Sequence, residues 1–170
     1  GITALIPDGV PSKNETITIN CEIDTAVLPF ESTVSYDDEH MNWYYLQLHS
    51  DDKHYLYFKT SDEVLLTDQT TFDEEDRDAY SWAFVGNPFD GYTIYNRKAY
   101  AKNPNLKLNA NSEGAVLGTA DHKFKVEPST HGVRGFFLAS EDGACSQRLN
   151  SLDGKVVYVD DAEDATVSST

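Results

Sequence analysis

Short apolar and aromatic runs alternate with polar turns along this chain, and one succession of them returns three times. Each cycle holds an aromatic-rich strand, a turn bearing Gly or Asp, an aliphatic strand and a strand with one large apolar residue. In the first, Trp43-Tyr44-Tyr45-Leu46-Gln47-Leu48 leads through Ser50-Asp51-Asp52-Lys53 to Tyr55-Leu56-Tyr57-Phe58, Val64-Leu65-Leu66 and Ser81-Trp82-Ala83-Phe84-Val85. The second runs from Gly91-Tyr92-Thr93-Ile94-Tyr95-Asn96 to Leu106-Lys107-Leu108, Ala115-Val116-Leu117 and His122-Lys123-Phe124-Lys125-Val126. The third holds Gly135-Phe136-Phe137-Leu138-Ala139-Ser140, Gln147-Arg148-Leu149-Asn150, Val156-Val157-Tyr158-Val159 and a weaker Ala165-Thr166-Val167.

Tyr45, Tyr92 and Phe136 recur at roughly 45-residue intervals, a period that marks one supersecondary unit per repeat. Short runs of this kind, bounded by turn residues, read as strands, about four per repeat and about twelve in all. Three repeats are too few for a propeller, which needs roughly four blades. The expected fold is therefore all-β, a β-trefoil over residues 28–170, with repeats at about 43–88, 89–130 and 131–170. Trp82 and Phe124 occupy matching strand positions, where a large apolar side chain packs into the core.

Ahead of the repeats, Thr16-Ile17-Thr18-Ile19-Asn20-Cys21-Glu22-Ile23 alternates at period two. That pattern predicts one strand in an N-terminal extension, residues 1–27, near the C-terminal segment. A start at Gly1 without an initiator Met, and a stop at Thr170 soon after a weak strand, lead us to expect part of a larger protein.

The run Trp43 to Leu48, Tyr55 to Phe58 and the stretch Trp82-Ala83-Phe84-Val85-Gly86-Asn87-Pro88-Phe89-Asp90-Gly91-Tyr92-Thr93-Ile94-Tyr95-Asn96 resemble the ricin-type β-trefoil modules of bacterial secreted and surface proteins. The resemblance covers about residues 28–170 and implies a lectin-like, carbohydrate-binding accessory module, extracellular or at the cell surface, beside other domains of a parent protein. Ricin-type sites use an Asp after a repeat's first strand, an aromatic platform, an Asn, and a Gln two positions before the repeat's Trp. Here Tyr80 stands two positions before Trp82 and His122 two before Phe124, so the family's usual Gln contact is not supplied. Candidate ligand residues lie at turns and strand ends: Asp51, Asp52 and Tyr57 in repeat one; Asn96, Tyr100 and Asn109 in repeat two; Asp142, Gln147 and Asn150 in repeat three. Tyr100 stands out as an aromatic within the polar stretch 96–105, which marks it as an exposed binding residue. If the sugar sites are lost, the same fold would serve as a structural spacer or protein-interaction module.

The net charge of −16 and pI near 4.4 argue against a nucleic-acid partner, since phosphate contacts need a basic stripe. They argue equally against an anionic membrane surface, and no stretch approaches the roughly 18 apolar residues of a spanning helix, so membrane insertion is not expected. The acids cluster in Asp37-Asp38-Glu39, in Asp73-Glu74-Glu75-Asp76 with Asp78, and in Asp160-Asp161 to Asp164. These runs lack the D-x-[DN]-x-[DN]-G spacing of a calcium loop and read as solvated loops. The N-terminus carries no signal peptide, as in mature or excised material. Cys21 and Cys145 could form one bridge; the alternation around Cys21 favours buried thiols instead. Asn14-Glu15-Thr16 satisfies the glycosylation sequon. No nucleophile elbow, zincin motif, Walker loop or dinucleotide fingerprint is present, so we expect no catalysis, no metal site and no cofactor.

Overall fold

The structure is a computed structural model that describes residues 40–47, 54–59, 62–66, 72–128, 136–141, 147–152, 155–160 and 168–169. The expected strand at 16–23, the sequon, both cysteines, Asp37 to Glu39, Asp51, Asp52, Asp142, Asp161, Asp164 and the run 165–167 lie outside these residues.

The described residues are mostly antiparallel β-structure. The strands are β1 (Tyr44–Tyr45), β2 (Leu56–Phe58), β3 (Val64–Leu66), β4 (Ser81–Asn87), β5 (Gly91–Asn96), β6 (Lys107–Ala110), β7 (Ala115–Gly118), β8 (Phe124–Pro128), β9 (Phe136–Ser140), β10 (Gln147–Leu152), β11 (Lys155–Asp160) and β12 (Ser168–Ser169). One sheet follows the order β1-β4-β5-β8-β9-β10-β11, with β12 on β10, and remains open among the described residues. β2-β3 and β6-β7 form separate hairpins. Strands β3, β7 and β11, one from each of the hairpins β2-β3, β6-β7 and β10-β11, are in mutual contact. β12 follows directly on the run 165–167, which itself lies outside the described residues.

The core repeats as the strands do. Leu46 directly after β1, Ile94 in β5 and Leu138 in β9 are buried, which matches core-packed Tyr44, one residue before the expected Tyr45, with Tyr92 and Phe136; Leu56, Leu108 and Leu149 are buried in β2, β6 and β10. Trp82 and Phe124 are fully buried, as their matching positions suggested, and the Trp82 indole N–H donates to the Leu56 carbonyl at 2.9 Å. That bond satisfies the polar edge that a buried indole would otherwise strand.

Strand β4 faces two cores. Its period-two alternation sends Trp82 and Phe84 into the main cluster, and Ala83 and Val85 into a second one with Met41 and Tyr95, against which Trp43 and Tyr100 pack. This second cluster lies beneath a helix that period-two reasoning did not anticipate. α1 (Arg97–Lys102) is too short to show apolar helical periodicity. Its start is nonetheless encoded locally, because Asn96 caps it through a bond from the Ala99 N–H at 3.2 Å.

The β4-β5 hairpin turns through Asn87-Pro88-Phe89-Asp90. The Asn87 side-chain oxygen accepts from the N–H groups of Phe89 (2.9 Å) and Asp90 (2.8 Å), an Asx-type turn. Gly86 sits at φ 142°, and a Cβ there would meet the Gly91 carbonyl oxygen at 2.2 Å. Only glycine fits such a position.

Candidate functional site

Antiparallel pairing at Gln47 and Tyr55 sets the register between the first two strands of repeat one, and the Leu56 N–H donates to the Leu46 carbonyl at 2.8 Å. Side chains alternate from there. Leu46, Leu56 and Phe58 enter the core, with Tyr44 packed against it, whereas Tyr45, Gln47, Tyr55 and Tyr57 stand on the opposite, outer face. Tyr45 is 48% exposed, and Tyr55 and Tyr57 are half-buried.

A second segment clips onto this face. Residues Glu74–Tyr80 form a 3-10 segment, kinked at Asp76, whose first N–H groups are capped by the Asp73 carboxylate through a 2.9 Å bond from Glu75. The acidic run expected to be a solvated loop is therefore a helical turn, with its carboxylates where a helix start stabilises negative charge. Phe72 just before it and Tyr80 at its end meet the outer face. The Phe72 ring lies 5.1 Å from Tyr45, 5.2 Å from Tyr55 and 4.5 Å from Tyr80, and Tyr80 stacks on Tyr57 at 5.4 Å. Tyr45 and Tyr55 meet edge to face at 6.3 Å, and the Gln47 amide donates to the Tyr55 hydroxyl at 3.3 Å. These contacts hold each ring by its neighbours and leave little rotamer freedom.

Burial, chiefly, raises the Tyr80 hydroxyl above its ordinary pKa; a hydrogen bond with the Asp73 backbone opposes it, and the charges of Tyr57, Asp73 and Asp76 add to it. Two basic residues of α1 tie the acidic turn down. Lys98 pairs with Asp76 at 2.7 Å and Arg97 with Asp78 at 3.6 Å.

The corresponding faces of the other two repeats are covered. In repeat two, Tyr95 is buried beneath α1, with Tyr100 edge-on at 5.4 Å and Trp43 a further 6.4 Å from Tyr100. In repeat three, Phe137 is buried under the Arg148 guanidinium, 4.2 Å above its ring and paired with Glu127 at 3.2 Å. Among the described residues, the aromatic face that stays open is the one in repeat one.

The candidate residues read from the sequence do not converge. Tyr57 belongs to the aromatic face. Tyr100, expected to be exposed, is instead half-buried on α1 and packs against Tyr95 and Trp43; the helix gives it the periodic reason that its polar neighbours concealed. Asn96 is 0% exposed, and besides capping α1 its amide donates to the Ala79 carbonyl at 2.9 Å, so it is closed to a ligand. Asn150 is likewise buried, within β10. The Asn109 amide donates to the Lys107 carbonyl at 2.9 Å on half-buried β6, and half-buried Gln147 donates its backbone N–H to the Ser140 hydroxyl at 3.1 Å. Asp51, Asp52 and Asp142 lie outside the described residues.

Tyr45, Tyr55, Phe72 and Tyr80 were missed as site residues. The signal was present: alternation around Leu46 and Leu56 puts Tyr45, Gln47, Tyr55 and Tyr57 on the non-core side. The positions where a ricin-type Gln would stand hold side chains engaged with rings, Tyr80 on Tyr57 and His122 with the Tyr158 hydroxyl at 2.6 Å.

No family model matches the chain, and no curated protein is significantly similar to it. Among the described residues, an open groove of about 510 Å³ lies between the β6-β7 turn and the β10-β11 hairpin, lined by Ser112, Glu113, Leu152, Lys155 and Val157. It has no aromatic floor.

Proposed function

We propose that this chain is a non-catalytic carbohydrate-binding module, lectin-like and built as a β-trefoil, that serves a larger extracellular or surface protein. The observation that carries this reading is the partly exposed cluster of Tyr45, Tyr55, Tyr57 and Phe72 with Gln47 at its edge. A pyranose ring offers an apolar C–H face and a rim of hydroxyls. Preset aromatic rings match the first and the Gln47 amide and Tyr55 hydroxyl match the second. Three mutually contacting hairpins and the repeated burial of Leu56, Leu108 and Leu149 support the trefoil arrangement. The likeness to ricin-type modules points the same way, although the binding surface lies on residues other than that family's usual ones.

A glycan array probed with the wild-type domain and with Tyr45→Ala tests the proposal. Binding lost in a variant that keeps its folded far-UV spectrum is the expected result; silence of the wild type across neutral, amine-bearing and acidic glycans would refute it.

One feature favours a second reading as a protein-interaction module. Phe89 is 89% exposed at the tip of the β4-β5 turn, which is fixed by Asn87 and by the Lys125 ammonium on the Phe89 carbonyl. A rigidly presented aromatic suits a protein partner's pocket. Retained partner capture by Tyr45→Ala and its loss in Phe89→Ser would favour that reading.

A further inference from the structure

The kinked segment brings Phe72 to the open aromatic face, yet little within the segment holds it there. A short 3-10 stretch has poor hydrogen-bond geometry of its own, and this one breaks at Asp76, whose φ of −116° and ψ of 39° are not helical. The side after the break is fastened to the fold. Tyr80 leads directly into β4, the Ser81 hydroxyl donates to the Arg77 carbonyl at 2.8 Å, and the Asn96 amide donates to the Ala79 carbonyl at 2.9 Å. The side before the break carries Phe72, and these bonds do not reach it. The contacts of Arg77 with Glu74, at 3.1 Å to the carbonyl and 3.9 Å to the carboxylate, stay within the segment.

Lys98 reaches the break from outside. Its ammonium meets the Asp76 carboxylate at 2.7 Å, with both side chains less than half exposed. The Asp76 backbone N–H in turn donates at 3.1 Å to the carbonyl of Asp73, the residue next to Phe72. Lys98 is itself well placed, between the Asn96 cap of α1 and the fully buried Ala99. Cations in the first turn of a helix oppose the backbone dipole, and α1 has Arg97 and Lys98 there with no acid of its own. Asp78 and Asp76 offset that cost from the neighbouring segment. The helix that covers the face of repeat two thus steadies the face of repeat one.

We infer, on the carbohydrate-binding reading above, that Lys98 is a positioning residue for the repeat-one face. It touches no sugar and acts through Asp76, holding Phe72 against Tyr45 at 5.1 Å and Tyr55 at 5.2 Å. With the pair broken, the leading side of the segment is free to leave the rings, and Tyr45 and Tyr55 lose the neighbour that fixes them. The binding-competent fraction falls, and apparent affinity falls with it.

The test is a charge swap. Lys98→Glu and Asp76→Lys each replace the attraction by a repulsion, and the double variant restores it in reverse; a Glu in the first turn also suits α1. Two quantities are read for each protein. One is the affinity for a soluble β-1,4-linked glucose oligomer by calorimetric titration, with the strongest binder of the glycan array in its place if that oligomer is silent. The other is the nuclear Overhauser contact between the Phe72 and Tyr45 rings without glycan. For a partly exposed pair, each single reversal corresponds to about three- to tenfold weaker binding, with the ring contact weakened. We expect the double variant to return to within about twofold of wild type and to regain the contact. Single variants that bind as wild type would overturn the inference, and so would weaker binding with the ring contact intact. A double variant as weak as the singles would overturn it too, since Lys98 would then act on the glycan directly. A wild type that binds no glycan overturns the carbohydrate-binding reading, and the ring contact in the glycan-free variants still decides whether Lys98 positions Phe72.

Discussion

Asn96 separates a structural role from a ligand role at one side chain. It is fully buried where β5 passes into α1; its oxygen accepts from the Ala99 N–H and its amide donates to the Ala79 carbonyl. In Asn96→Ala the cap is lost at a cost of about 1 kcal/mol. The Ala79 carbonyl loses a donor out of reach of bulk water, which costs about 1–3 kcal/mol more. The expected destabilisation is therefore about 2–4 kcal/mol, read as a lower urea midpoint at unchanged slope. For a chain of this size, it corresponds to a melting temperature lower by about 4–16 °C. Asn96→Ser keeps a cap acceptor and loses the reach to Ala79, and should recover about 1 kcal/mol of the loss. Urea titrations of the two variants, with glycan binding measured alongside, decide the matter. A change under about 0.5 kcal/mol in Asn96→Ala, within the range of ordinary surface substitutions, would refute the packing argument. Wild-type stability with lost binding would return Asn96 to the ligand site.

Gly86→Ala should destabilise by at least about 2 kcal/mol, because a positive φ and a Cβ 2.2 Å from the Gly91 carbonyl oxygen require the hairpin to shift; an unchanged thermal midpoint would contradict this. Leu108→Ala, at a fully buried hairpin position, should cost about 2–5 kcal/mol in chemical denaturation, and Leu56→Ala and Leu149→Ala should fall in the same range. Burial lowers the pKa of His122 below its ordinary 6.5, with the Glu141 charge opposing, so the native state favours the neutral ring. Its contribution is complete above pH 6.5 and is lost as pH falls through the lowered folded-state value. The stability difference between wild type and His122→Gln should therefore shrink on acidification from pH 7 to 5, and a difference that stays constant or grows would contradict the assignment.

The strands were legible because their signals are local. Alternation about Leu46, Leu56, Trp82 and Phe84 specifies which side chains turn inward, and Gly86 with Asn87-Pro88-Phe89-Asp90-Gly91 specifies a hairpin turn. Both helical segments escaped notice for a common physical reason. α1 and the segment Glu74–Tyr80 are one or two turns long, below the length at which a periodicity of 3.6 can register, and each is defined by its cap, Asn96 or Asp73. That omission displaced the site as well. Tyr100 looks isolated in sequence yet sits on α1 over Tyr95, while Phe72 and Tyr80 reach Tyr45 and Tyr57 only because the kinked acidic turn brings them across the sheet. The contacts of Phe72 and Tyr80 join residues more than about twenty positions apart in sequence and leave no periodic trace.

The most direct test of the central claim is a two-dimensional NMR titration of aromatic-ring resonances with a glycan that binds the domain. The account predicts that the rings of Tyr45, Tyr55 and Phe72 shift together and saturate with one affinity, while Tyr95 and Tyr100 under α1 stay unmoved. Shifts centred on Tyr100, or on residues of β6 or β10 with the repeat-one rings unaffected, would contradict it.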